Sequence, residues 1–441
     1  MTTTKNYRSA FIIITILFFL WGFITVLVDS LIPRLKDVFE LSYFQAGLVQ
    51  FAFFIAYFVF SVPAGTLLSR IGYQKGIVIG LVTMALGCLL FYPAASNRLF
   101  WVFLVGYFTL AAGITILQVA ANPYVSVLGS ENGASSRLNL SQAFNSLGTA
   151  IAPVVGAMFL LSDTIKNSEE ISVLTEVEQK AYYVSEAGAV QTPFLWIAGF
   201  IALLSLLFVF IKLPKVLQEK KVGNAFSLLR NRMVLTGVIG IFVYVGAEVA
   251  IGSYLVNYFL DMNLAEAIRE NETMKFLAER ILNSDLSLND PKAIVGAFVV
   301  FYWSGAMVGR FIGAYLTKII SPAKVLAVFA ILAITMLFLS MNTAGLVALW
   351  SILAVGLFNS IMFPTIFTLT IDGLGDLKPR ASGLLCMAIV GGAVIPPLYG
   401  FFTDQMGFKL ALLLLISCYG YIVFFAVNKL NKRVLRNQRE F

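Results

Sequence analysis

The sequence predicts an all-α membrane protein, with twelve transmembrane helices arranged as two pseudo-symmetric six-helix bundles. Three observations predict it. The 441 residues are 59% hydrophobic and only 12% charged, with a mean hydropathy of +0.88; a soluble domain carries about 25% charged residues. The apolar residues gather into runs of about 20, the length that crosses about 30 Å of hydrocarbon as a helix. Polar and glycine features also recur at matching places in the two halves of the chain.

The first run, Ser9 to Val28, is too long for a signal-peptide core and has no small-residue cleavage site after it, so it reads as a retained first helix. The spans of the first half are 9–31, 43–68, 75–95, 99–128, 138–161 and 193–213. Those of the second are 233–260, 293–317, 323–342, 344–371, 381–402 and 408–428. A polar, basic linker at 214–232 separates an N-terminal bundle, 1–213, from a C-terminal bundle with a short basic tail, 233–441. The halves echo each other. Gln118 and Pro123 are spaced like Asn359 and Pro364, and Gly148, Pro153 and Gly156 match Gly392, Pro397 and Gly400 at constant offset. Gly65 and Arg70 after the second span match Gly313 and Lys318 after the eighth. Two similar bundles can rock about a site near the bilayer midplane.

Charge sets the orientation. Most of the 31 basic residues fall on one side: Lys5, Arg8, Arg70, Lys75 and Arg137, the linker lysines and arginines, Lys318, Lys324, Lys378 and Arg380, and the tail. The two long loops on the other side are acidic, with Glu169, Glu170 and Glu176 in one and Glu266, Glu270 and Glu272 in the other. The basic side is cytoplasmic, which places both termini there, in the plasma membrane of a bacterium. The net charge of +8 is then a topology signal and not a nucleic-acid footprint. The partners expected are a substrate, a monovalent cation and the lipid bilayer, with the chain working as a monomer.

Several chemistries are excluded. The chain has no His, which removes the commonest general base and metal ligand. Cys88, Cys386 and Cys418 lie in apolar runs without zinc or disulfide spacing. No G-x-x-x-x-G-K-[ST] loop is present, so nothing points to ATP-driven transport. An enzyme is not expected, and no cofactor is implied.

Asp29 and Glu248 are the carboxylates within the spans. A charge in hydrocarbon costs about 2.5–3.5 kcal/mol on insertion scales, so such a group is usually kept where a cation or polar substrate is met; for Asp29 a carboxylate snorkelling to the outer interface is the equal alternative. Asp29 lies near the outer end of the first span, with Thr25 one turn before it on the same face. Glu248 lies some 15 residues into the seventh span, about 22 Å along it at 1.5 Å per residue, a depth that snorkelling does not reach; it can accept from substrate hydroxyls, take part in proton coupling or pair with a cation. Gln118 and Asn122 share a face of the fourth span at i, i+4. Their amide oxygens are hard ligands for a small cation or, alternatively, glue between helices. Asn139, Gln142 and Asn145 step along the fifth span by threes. Carboxamides both donate and accept, as a polar uncharged substrate requires. Gln142 and Asn145, with Asn257 and Asn359, are candidate substrate contacts, and Asn139 is nearer the cytoplasm and reads as structural or gating. Trp21 and Trp303 lie within spans, unlike Trp101 and Trp196 at the interfaces, and either offers a flat face to a substrate. Arg310 is the basic residue embedded in the spans. It reads with Arg70 as structural or gating, and a Glu248–Arg310 pair is the alternative to a functional role for Glu248.

The loop GTLLSRIGYQK from Gly65 resembles the major facilitator motif between the second and third helices, with Ser69 and Tyr73 in place of its usual Asp and Arg. The run FFLWGFITVLVDSLIPRLKDVFELSYFQAGLVQFAFFIAYF from Phe18 resembles the first two helices of the fucose–galactose–glucose:cation symporter family. AAGITILQVAANPYVSVLG (111–129), RLNLSQAFNSLGTAIAP (137–153) and YVGAEVAIGSYLVNY (244–258) extend the likeness over most of the chain. The GAE-x-x-I-G-S run is closer to the glucose/galactose branch.

This resemblance implies a major facilitator fold and cation-driven symport of a neutral hexose by alternating access. It implies a cation-coupling role for Asp29. Where the fucose permeases carry a helix-four Glu, this chain has Gln118. An amide cannot titrate, so the expectation is sodium held by Asp29, Gln118 and Asn122 as its metal ligands. The alternative is a proton carried by Asp29.

Overall fold

The computed structural model describes residues 7–29, 43–160, 175–216 and 224–437. Among them the chain is helical, without strands. The elements in order are α1 (Tyr7–Asp29), α2 (Tyr43–Ile71), α3 (Tyr73–Ser96), α4 (Phe100–Val127), α5 (Ala134–Leu160), α6 (Glu176–Phe210) and α7 (Arg232–Asp261). Two short helices follow, α8 (Leu264–Glu270) and α9 (Glu272–Leu282), and then α10 (Pro291–Ala297) and α11 (Val299–Ile319). The rest are α12 (Pro322–Asn342), α13 (Gly345–Asn359), α14 (Met362–Ile371), α15 (Lys378–Met387) and α16 (Gly391–Asn437).

Ten of the described stretches are long and apolar enough to cross a membrane. The last, Gly375–Asn431, holds two crossings. They join at Gly407, whose φ of 82° lies in the left-handed region that favours glycine. The amide-rich α5 supplies the remaining crossing, and the twelve predicted segments are accounted for. Prolines inside α2 to α6 and α16 are tolerated because neighbouring helices and side chains take up the freed backbone groups.

Local capping follows the sequence. Thr175 and Glu178 form a reciprocal capping box at the start of α6. Asp290 caps α10, with Pro291 in its first turn.

The chain forms two compact units. The first comprises residues 1–128, 144–227 and 374–387, and the second 129–143, 228–373 and 388–441. In the first, α3 packs against α4 and α6, and α15 packs against α2 and α4. The Gln74 amide donates to the carbonyls of Phe208 (2.9 Å) and Ile211 (2.6 Å), closing the end of α6. In the second, α7 packs on α16 and α14, while α13 packs on α11 and α12. There the Lys429 ammonium donates to the Leu369 carbonyl at the end of α14. Both groups satisfy carbonyls that a helix leaves without an internal partner.

Candidate functional site

In the first unit the candidate residues lie on α1, α4 and α5. Asp29 is the last residue of α1, and its side chain lies outside the described residues. Thr25 is turned back on its own helix, with its hydroxyl donating to the Trp21 carbonyl at 2.9 Å. Trp21 is buried, its ring tilted against Phe18 with centroids 5.4 Å apart.

Gln118 is partly accessible, and its amide donates to the Tyr57 hydroxyl at 2.8 Å. Asn122, one turn on, is fully buried beside Cys386 of α15. Ser382, also of α15, donates to the Val119 carbonyl at 2.9 Å. The two α4 amides therefore share a helix face, as their spacing predicts, but meet different neighbours. Asn145 donates to the Phe18 carbonyl at 2.8 Å, and Gly22 leaves the room its amide occupies. That bond joins α5 to α1 and leaves the Asn145 amide oxygen as its remaining polar atom. Arg70 ends α2 and is exposed.

The second unit gathers a denser cluster. Glu248 sits 16 residues after the start of α7, about 24 Å along it, and is partly accessible. No direct ion pair reaches its carboxylate among the described residues. The fully buried Tyr244 faces it from one turn earlier, and Arg310 of α11 lies in electrostatic range. The Tyr244 hydroxyl lies against the Glu248 carboxyl.

The Arg310 guanidinium is held on two main-chain carbonyls, Ser360 at 3.3 Å and Gln142 at 3.4 Å. Behind Glu248 runs a chain of hydrogen bonds. Tyr419 donates to the Asn359 amide oxygen at 2.6 Å, and the Asn359 amide donates to Tyr302 at 2.7 Å. Tyr302 in turn reaches the Glu248 carbonyl at 3.5 Å, the outer edge of hydrogen-bond range. Both ends of the Asn359 amide are thus engaged within the bundle.

The remaining candidates are more scattered. Trp303 is 48% exposed, with its ring edge to face on Tyr302 and packed against Gly252, where a Cβ would come within 2.9 Å. Asn257 is exposed. Asn139 is fully buried and donates to the Ser135 carbonyl (2.9 Å) and the Thr365 hydroxyl (3.2 Å). Its amide oxygen is buried without a partner. Beside it the hydroxyls of Ser135 and Thr368 bond at 2.6 Å, so the first turns of α5 are pinned to α14. Gln142 is also buried.

Tyr57, Tyr244, Tyr302 and Tyr419 were not among the residues that sequence pattern singled out. Only Tyr244 carried a signal, its i−4 spacing from Glu248.

The family model of the Major Facilitator Superfamily matches residues 10–395. The chain belongs to this superfamily. A glucose/galactose transporter of Brucella abortus is 47% identical over 432 residues, covering 97% of this chain and 95% of that one. The L-fucose-proton symporter of Escherichia coli is 35% identical over 437 residues, covering 96% and 93%. The crystal structure of the transporter FucP in the outward conformation matches with a TM-score of 0.85 at 34% identity, over 96% of this chain and 99% of that one. The major facilitator fold predicted from twelve apolar runs and paired halves is the fold of this chain. Members of this superfamily are multi-pass membrane transporters and not enzymes, and the relatives bear the names that the sequence resemblance implies.

Proposed function

We propose that this chain is a proton-coupled symporter of a neutral hexose, working by alternating access as a monomer in a bacterial inner membrane, with both termini cytoplasmic. The observation that carries the reading is a carboxylate held in mid-bundle, Glu248, in a chain 47% identical to a glucose/galactose transporter. Among the relatives, the L-fucose-proton symporter of Escherichia coli is named for its coupling ion. The sodium expectation drew only on the amide at Gln118 and finds no support among these relatives, so the proton reading replaces it.

In this reading Asp29 carries a proton, with Thr25, Gln118 and Asn122 shaping its surroundings. The candidate sugar contacts are Asn145 and Trp21 in the first unit, and Gln142, Glu248 and Trp303 in the second. Asn359 holds Tyr302 and Tyr419 in place around Glu248. Asn257, exposed near the end of α7, is assigned to the approach of substrate. Asn139 acts with Arg70 and Arg310 in gating.

Uptake into proteoliposomes tests this. An inward pH gradient without sodium should accumulate radiolabelled glucose or galactose. Accumulation that demands sodium at constant pH would restore the sodium reading. Equilibration without ion dependence would reject symport. Asp29→Asn should abolish accumulation, and normal accumulation by that variant would remove Asp29 from the coupling site. A competition panel of hexoses then identifies the preferred sugar.

A further inference from the structure

The sequence makes Asp29 the natural proton carrier and leaves Glu248 open between substrate, proton and cation. The geometry of the second unit asks more of Glu248. The charged and titratable groups facing it are Tyr244 on its own helix, Arg310 and Tyr302 on α11, and Tyr419 on α16. Among these side-chain types, a carboxylic acid ordinarily titrates nearest the working pH range. Glu248 is therefore the member of the cluster whose charge can change in the working pH range. The residue is partly accessible.

Arg310 stands between two kinds of acceptor. Its bonds to the Ser360 and Gln142 carbonyls, at 3.3 and 3.4 Å, are long beside the roughly 2.7–2.9 Å of a guanidinium–carboxylate pair. The Glu248 carboxyl lies in its field without a direct pair. Gln142 in turn sits on α5 one residue before Ala143, where the chain passes from the second compact unit to the first within one continuous helix.

We propose that Glu248 is a proton-carrying site of the transport cycle, and that Arg310 transmits its charge state to α5 through the Gln142 carbonyl. This rests on the symport reading given above. With Glu248 protonated and neutral, the guanidinium stays on the two carbonyls. On release the Glu248 O–H bond breaks, the proton passes to water as hydronium, and the electron pair stays on the carboxylate. The guanidinium then turns to the new negative charge and loosens its hold on Gln142. The sugar remains bound through acceptors that do not titrate. The second coupling carboxylate, missing at Gln118, is thereby supplied from the other unit.

Glu248→Gln separates the roles, because the amide keeps an acceptor for a sugar hydroxyl but cannot exchange a proton. In proteoliposomes this variant should retain sugar counterflow at a reduced rate, within about tenfold of the wild type. It should lose pH-driven accumulation and the external alkalinisation that sugar addition causes. Accumulation at the wild-type level would overturn the proposal. So would loss of counterflow together with accumulation in a variant that melts like the wild type, since that marks a purely sugar-binding role. A wild-type protein that causes no alkalinisation would reject proton symport itself, a distinct failure.

Arg310→Lys keeps the charge but not the fork, and should shift the pH midpoint of accumulation by about half a unit or more. An unchanged pH profile overturns the transmission through Arg310. Should Glu248→Gln fail to fold, Glu248→Asp decides by the same readouts. A displaced pH midpoint with counterflow retained supports the proposal, and either a wild-type profile or loss of both activities overturns it.

Discussion

Asn359 shows how much a single side chain settles in this protein. It was read from sequence as the counterpart of Gln118 and a candidate sugar contact. In the structure its amide nitrogen and oxygen are both engaged, by Tyr302 and Tyr419, and it is fully buried. Asn359→Ala leaves two buried phenols without their partner, at about 1–3 kcal/mol each. The expected outcome is a lowered melting temperature in detergent, together with slower sugar counterflow. Unchanged melting would mean that water replaces the amide. Asn359→Asp keeps an acceptor for Tyr419 but loses the donor to Tyr302, so it should fall between the two. Glu248 was legible because a carboxylate deep in an apolar run has few innocent explanations. Its phenolic neighbours were not, because a tyrosine in a membrane helix carries no such penalty and most serve as packing.

At the scale of the element, close helix approach depends on a few small residues. The α13 residue Gly356 faces the main chain of Tyr302 on α11, and a Cβ there would meet the Tyr302 carbonyl. Gly356→Val should force α13 away from α11, costing about 1–3 kcal/mol and disturbing the Tyr302–Asn359 bond. A large fall in melting temperature, with counterflow reduced, checks it.

The loop between α9 and α10 offers a pH test. Asp285 accepts from the Ser287 main-chain N–H at 2.8 Å, which holds its carboxyl below the ordinary value. A depressed carboxylate adds stability that is fully present above its unfolded pKa, about 3.9, and is lost as pH falls through its folded value. Amide exchange in residues 284–289 should therefore be flat from pH 5 to 8 after correction for intrinsic rates, and should lose protection only below about pH 4. Asp285→Asn should remove that acid step.

At the scale of the whole molecule, the decisive measurement is ion-driven accumulation by the intact transporter, with Asp29→Asn and Glu248→Gln each expected to abolish it. The sequence by itself determined the class, the twelve crossings and the membership of the major facilitator superfamily. Hydrocarbon thickness fixes helix length, the lack of water forces every span to satisfy its own backbone, and both constraints are written in composition. It also marked Asp29, Glu248 and the amides of α4 and α5, because polar atoms in such runs stand out. Tertiary structure alone decided which of these meet. It brought Arg310 near Glu248 while holding its guanidinium on carbonyls, spent Asn359 on two tyrosines, and set Gln118 on Tyr57. It also placed the first turns of α5 in one compact unit and the rest in the other. Such pairings depend on how helices far apart in sequence pack, and periodicity reports only the face a residue shares with its own helix.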